Sequence, residues 1–72
     1  MYLVIEIQKN GDNISTLVDS FSNLNQAKSK YHTILAAASI SSVDRHGACL
    51  LDDRGVCILT ESYNHLAESN ED

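Results

Sequence analysis

Apolar positions divide the chain into two pairs of strands on either side of one helix. Tyr2 to Gln8 is a short run rich in β-branched residues and predicts a strand, and Ile14 to Phe21 alternates loosely and predicts the returning strand. Asn10-Gly11 between them is typical of a hairpin turn that needs a positive φ. Val43 to Leu51 and Val56 to Tyr63 predict a second hairpin.

A helix is predicted between the hairpins, from Leu24 to Ser39. Asn23 offers a capping oxygen at its start, and Gln26 follows three positions later, as in a capping box. Apolar side chains recur at helical spacing and form one stripe: Ala27, Tyr31, Ile34, Leu35 and Ala38. The order β-β-α-β-β predicts an α+β fold with a four-stranded antiparallel sheet and one helix. We expect a single domain over residues 1–66 and a flexible acidic tail over residues 67–72.

The second hairpin is predicted to have two apolar faces. Its turn at residues 52–55 favours a three-residue loop in which Gly55 takes the left-handed conformation. The resulting register pairs Asp52 with Val56, Leu51 with Cys57, Cys49 with Leu59, and Arg45 with Tyr63. One face then carries Cys49, Leu51, Cys57 and Leu59, and the other carries Ala48, Leu50, Val56 and Ile58. The first strand is similar, because its two faces are also apolar.

Two apolar faces predict self-association, because one helix can cover only one face of a four-stranded sheet. Leaving four or five aliphatic side chains in water forfeits several kcal/mol at about 25 cal/mol per Å², and small domains have little stability to spare. We therefore expect a homo-oligomer, a dimer or a tetramer, packed sheet on sheet or helix on helix through residues 36–38. The alternative is a loosely packed monomer.

Composition narrows the class of partner. The net charge of −5, from ten acidic residues against five Lys and Arg, argues against binding to duplex nucleic acid. No apolar run reaches the roughly 20 residues of a membrane span, and the first residues do not resemble a secretion signal, so a cytoplasmic location is expected. Cys49 and Cys57 are expected to be small buried thiols. A metal site formed by His32, His46 and Cys49 is a weaker alternative.

The residues that could bind a ligand are polar residues at the ends and edges of the predicted helix and strands. The chain has none of the common hydrolase, zinc-protease, P-loop or dinucleotide-binding motifs, so neither an enzyme nor a cofactor is expected. A small anion or nucleotide could be held by Lys28, His32, Ser39, Arg45, His46 and Tyr63. Arginine would meet a phosphate and an aromatic ring would stack on a base. The alternative is an ordinary sheet end with a cross-strand contact.

The sequence also resembles a widespread family of very short bacteriophage proteins. The resemblance rests on Lys30-Tyr31-His32, on the segment from Ile34 to Ser39, and on scattered positions as far as His65, in a pattern like KYHxxLAAAAxS…H…LL. Ser39 stands where that pattern has a fourth alanine. This similarity covers most of the chain and carries no catalytic signature.

The resemblance implies a role in immune evasion. Some short phage proteins act as sponges, which are oligomers that sequester the cyclic nucleotides of host CBASS defence without cleaving them. By this similarity the chain would be an anti-CBASS sponge, assembled as a tetramer in the cytoplasm of the infected bacterium, with a cyclic dinucleotide bound between subunits. The alternative is a small interaction module that docks a host or phage protein through its apolar sheet face.

Overall fold

The computed structural model describes residues 1–65, in which four strands and one helix follow the predicted order. The elements are β1 (Tyr2–Asn10), β2 (Asn13–Phe21), α1 (Leu24–Ser39), β3 (Arg45–Asp52) and β4 (Cys57–Asn64). The strands form one antiparallel sheet in the order β2-β1-β3-β4, which confirms the α+β class. The predicted tail at 67–72 and the predicted domain end at 66 lie outside the described residues.

Local hydrogen bonds set the ends of α1. The Asn23 side-chain oxygen accepts from the backbone N–H groups of Asn25 at 2.8 Å and Gln26 at 3.2 Å, which satisfies donors that the first helical turn leaves free. At the other end, the N–H of Ile40 donates to the carbonyl of Ala37 at 3.3 Å. The predicted helix bounds are confirmed. Among residues 1–65, no helix has the length and apolar character needed to cross a membrane.

The core lies between α1 and one face of the sheet. Its fully buried members include Val4 on β1, Leu50 on β3, and the α1 residues Ala27 and Ala38. The small side chains on the helix allow close approach to the sheet, and Tyr31 fills the space between them. The predicted apolar stripe of α1 is therefore the face that packs.

Both hairpin turns use glycine at a positive φ. Gly11 has a φ of 65° between the paired residues Asn10 and Asn13, and Gly55 has a φ of 85° in the second turn. There the N–H of Asp52 donates to the carbonyl of Val56 at 3.0 Å. A side chain with a Cβ rarely adopts this conformation, so the predicted turn chemistry is confirmed at both positions.

The predicted register of the second hairpin is correct at its turn and wrong beyond it. Leu51 pairs with Cys57 as expected, but a bulge follows and the next pair is Leu50 with Leu59. The extra residue in β4 is Ile58, and it shifts every later pair by one position. The expected pairs Cys49–Leu59 and Arg45–Tyr63 are therefore replaced by Cys49–Thr60 and Arg45–Asn64. Leu59 packs on the core instead of sharing a face with Cys49.

The sheet face opposite α1 carries an apolar surface that no described element covers. This open face contains Leu3, Ile5 and Ile7 of β1, Ile14 and Val18 of β2, Cys49 and Leu51 of β3, and Cys57 of β4. Ile14 is 65% exposed and Val18 is 58% exposed. The two-sided apolar character expected from the sequence is present.

Burial predicts a clear contrast between two aliphatic residues. Leu50→Ala is expected to lower the free energy of unfolding by about 2–5 kcal/mol, because it removes a fully buried side chain and leaves a cavity. Ile40→Ala is expected to change it by less than about 0.5 kcal/mol, because Ile40 is 86% exposed after the helix end. Urea unfolding followed by circular dichroism measures both. Equal losses from the two variants would contradict the packing described.

Candidate ligand-binding site

The sheet separates the predicted binding residues into different groups. His46 and Tyr63 are register partners on β3 and β4 and lie on the side of α1. Arg45, the neighbour of His46 in the chain, lies on the open face because successive strand residues alternate. The sequence therefore placed Arg45, His46 and Tyr63 at one end of the second hairpin, as the structure does, but it did not show that Arg45 and His46 lie on opposite faces.

His46 is 5% exposed and forms a polar pair with Glu6. Its Nε2 donates to Glu6 Oε2 at 2.6 Å, and Gln8 Nε2 donates to the same oxygen at 2.9 Å. Burial alone would raise the pKa of Glu6, but hydrogen bonds from His46 and Gln8 and the nearby positive charges of His46 and Lys30 hold it below its ordinary value. Glu6, which is isolated in the sequence, is thus the partner of a buried imidazole.

His46 Nδ1 is buried and has no hydrogen-bond partner among residues 1–65. His46 is enclosed between sheet and helix, so its role within residues 1–65 is in packing and hydrogen bonding with Glu6.

Tyr63 and the end of α1 form a second polar group. The Tyr63 ring is stacked on His65, with 6.3 Å between ring centroids and an interplanar angle of 10°. His65 Nε2 donates to the carbonyl of Ala38 at 2.9 Å, which ties β4 to the last turn of α1. Ser39 is exposed and its hydroxyl donates to the carbonyl of Ala36 at 2.9 Å. Tyr63 is thus linked to the end of α1 through His65.

Lys28 and His32 form a third group on α1. His32 is exposed, and its ring meets Tyr31 edge to face with 5.2 Å between centroids. Lys28 is ten residues before Ala38, which is about 15 Å along the axis at 1.5 Å per residue. Lys28 is thus far from the Tyr63 group, and both helix residues lie across the sheet from Arg45.

A depression on the open face brings Arg45 together with residues that the sequence did not single out. Its volume is ≈ 360 Å³. Its open-face lining comprises Ile7, Lys9, Ile14, Arg45, Gly47, Cys49, Thr60 and Ser62. Lys9 and Arg45 are direct register partners on β1 and β3, and neither forms an ion pair with another of residues 1–65. This is the candidate site.

Gly47 forms the floor of the depression because β4 approaches it closely. A Cβ at this position would lie 2.7 Å from the carbonyl oxygen of Glu61 and 2.7 Å from the Cβ of Ser62. Any other residue would clash with that backbone, so glycine is required here. Glycine at position 47 therefore lets β4 pack directly against β3 between Arg45 and Cys49.

Lys9 could not be identified as the partner of Arg45 from the sequence, because strand order decides which strands are neighbours. The sequence offered only a weak signal for Lys9: it is a basic residue between the apolar run that ends at Gln8 and the turn at Asn10-Gly11. Thr60 and Ser62 were also missed, since the bulge at Ile58 sets their face. The signal that could have found Thr60 and Ser62 is the spacing of two residues between them, after Leu59, which puts both hydroxyls on the same face of β4.

The structure contradicts the proposed metal site and part of the thiol prediction. His32 is exposed on α1, His46 is buried beneath it, and Cys49 lies on the open face, so the three cannot meet. Within residues 1–65 no group of three or more His, Cys, Asp or Glu side chains could hold a metal ion. Cys49 is half-buried and Cys57 is exposed, so the expectation of two buried thiols is wrong.

The Glu6–His46 pair predicts a specific pH dependence of stability. Since the folded pKa of Glu6 is lowered, its ionised form stabilises the protein above the unfolded pKa, and this contribution is lost as pH falls below about 4.3. Glu6→Gln keeps an acceptor for His46 but removes the charge. We expect the variant to be less stable than the natural chain at pH 7, with the difference shrinking at acidic pH, in urea unfolding measured at several pH values.

Glu61→Gln is the matched control for that measurement. Glu61 is an exposed strand carboxylate that forms no ion pair with the other residues in the described range. Its variant should follow the stability profile of the natural chain closely. If Glu6→Gln followed that profile equally closely from pH 7 to pH 3, the ionised pair would not contribute to stability.

Comparison with known proteins gives no match: no protein-family model, no curated protein and no solved structure matches this chain.

Proposed function

We propose that the chain is a non-enzymatic binding protein that assembles through its open face and captures a small phosphate-bearing nucleotide where copies meet. The observation that carries this proposal is the direct pairing of Lys9 with Arg45 on an uncovered apolar face. A cyclic dinucleotide is the leading ligand class. In the setting implied by the resemblance to phage sponges, the protein would remove a host immune signal in the cytoplasm of the infected cell.

The charge arrangement supports an anionic ligand. Like charges directly opposite each other on neighbouring strands are destabilising, and here two cations are adjacent in a chain of net charge −5. A phosphate between Lys9 and Arg45 would turn this repulsion into two charge-assisted contacts. The planar guanidinium of Arg45 suits two phosphate oxygens, and the ammonium of Lys9 supplies a point charge.

The shape of the depression supports a nucleotide over a bare phosphate. Its ≈ 360 Å³ lies at the lower end of ligand pockets, which run from about 300 to 1,000 Å³. Ile7 and Ile14 offer an apolar surface for a base, while the hydroxyls of Thr60 and Ser62 offer hydrogen bonds. One such depression fits half of a cyclic dinucleotide, so a two-fold related copy would supply the other half.

The uncovered apolar surface supports assembly with a second copy. Leu3, Ile5 and Leu51 are only half-buried, because the sheet side chains next to them shield them and no described element covers them. Burying such a face against an identical one would stabilise a domain whose core rests on one helix. Sheet-on-sheet packing of this kind places the depressions of two copies near a shared interface.

A protein-interaction module is the second candidate, and the same open face favours it. In that case the apolar surface would dock a host or phage protein, and Lys9 and Arg45 would contact acidic residues of that partner. The two candidates differ in their requirement for a nucleotide. A stoichiometric protein partner together with no nucleotide response would favour the module.

Self-association gives the first test of the proposed function. Sedimentation should show a particle of at least twice the 7.9 kDa chain mass. Val18→Asp, on the open face, should shift the particle to the monomer, because a charge would be buried in the interface. Leu17→Asp is the matched control, since Leu17 is 62% exposed on the other face of the same strand. A natural chain that sediments as a folded monomer would contradict assembly.

Nucleotide capture gives the second test. Calorimetric titration with a panel of cyclic di- and trinucleotides should give saturable heat for at least one member. Arg45→Gln and Lys9→Gln should each weaken that binding about tenfold or more, because each removes a charge-assisted contact worth about 1.5–3 kcal/mol. The ligand should be recovered chemically intact after the protein is denatured, which separates sequestration from hydrolysis.

Two variants with the same charge change are the controls for the titration. Arg54→Gln removes an arginine that is paired with Asp52 at 2.8 Å in the distant turn, and Lys30→Gln removes a lysine that pairs with Asp19 at 3.6 Å. Both should bind as the natural chain does. Loss of binding in Lys28→Gln with retention in Arg45→Gln would move the site to the helix, and no heat with any nucleotide would contradict nucleotide capture.

A further inference from the structure

The two cysteines of the second hairpin lie side by side on the open face. Their Sγ atoms are 3.3 Å apart, although Cys49 pairs with Thr60 and Cys57 pairs with Leu51 in the strand register. The sulfur atoms therefore meet diagonally across two neighbouring strands. A modest rotation of the side chains would bring them within bonding distance.

The bulge in β4 is the cause of this contact. Beyond the bulge, Leu50 pairs with Leu59. If this register continued to the turn without the extra residue Ile58, Cys57 would lie opposite Asp52, on the face that α1 covers. A shift of one residue moves a side chain to the other face of a sheet. The bulge therefore transfers Cys57 to the face of Cys49, where their Sγ atoms meet.

The two thiols differ in their access to solvent. Cys57 is exposed and Cys49 is half-buried. Burial, the hydrogen bond with Cys57 and the proximity of its sulfur raise the pKa of Cys49 to about 11, so Cys49 is a weak nucleophile at neutral pH. Reaction with an external molecule therefore begins at Cys57, and Cys49 is held beside it as the second thiol.

We propose that Cys49 and Cys57 form a dithiol site that reacts with low-molecular-weight disulfides, such as glutathione disulfide, to close an intramolecular disulfide. The Cys57 thiolate attacks one sulfur of the small disulfide, forms a mixed disulfide and releases one thiolate. Cys49 then loses its proton and attacks the Cys57 sulfur, which releases the second thiolate. The two cysteines lose two protons and two electrons in total, and one small disulfide becomes two small thiols.

This reaction does not require a bound nucleotide, and it would change the open face. The bond would join β3 to β4 next to the bulge and would fix the side chain of Cys49, which lines the depression. It would also replace two thiols with a disulfide at the β4 edge of the open face, which is the surface proposed to self-associate. Oxidation of the pair would thereby change the shape and chemistry of the open face.

Intact-mass spectrometry under non-reducing conditions tests the dithiol site. After incubation of the reduced protein with glutathione disulfide at pH 8, we expect a monomeric chain that has lost two hydrogen atoms and has no free thiol. Cys49→Ser should stop at a glutathione adduct on Cys57, at least about tenfold more abundant than in the natural chain, because the neighbouring thiol is absent. Cys57→Ser should react more slowly, since only the half-buried thiol remains.

The contradicting outcomes of this experiment are distinct. Stable glutathione adducts on both cysteines of the natural chain would show that the second thiol does not resolve the first. Disulfides only between chains, with a yield that rises with protein concentration, would place the reaction between copies. Two thiols that stay unmodified in the folded protein would overturn the proposal. A nucleotide titration without heat would leave each of these outcomes unchanged.

Discussion

The coverage of one sheet face by a single helix is the constraint on which the rest of the structure depends. A 16-residue helix packs Ala27, Tyr31 and Ile34 against β1 and β3, where Val4 and Leu50 are fully buried. The small side chains bring the backbones close together, so a compact core forms from few residues. No element within residues 1–65 covers the opposite face, and the aliphatic side chains there stay accessible for self-association or a ligand.

Features that depend on local sequence were predictable, because neighbouring residues determine them. Asn23 caps α1 by accepting from N–H groups two and three residues ahead, so the helix start follows from a few adjacent residues. Gly11 and Gly55 take the positive φ that their turns require. Fold class, helix bounds and turn positions all follow from such short-range rules, and all were correct.

Features that depend on pairing between distant segments were not predictable in this way. The bulge at Ile58 has no local signal as strong as a turn glycine, yet it changes the face of every β4 residue beyond it. The pairing of Lys9 with Arg45 depends on β1 lying next to β3, and no short-range pattern fixes that order. The sequence thus singled out Arg45 at this end of the sheet but did not identify Lys9 as its neighbour.

The buried pair on the covered face helps to hold the two cations together on the open face. Glu6 and His46 lie on neighbouring strands and contact each other at 2.6 Å beneath α1. A slip of β1 against β3 by one residue would move Glu6 to the open face and leave a buried imidazole without its carboxylate, which costs more than the pair contributes when intact. The register that satisfies this pair also places Lys9 opposite Arg45. A polar contact inside the core therefore specifies the charge arrangement on the opposite surface of the same sheet.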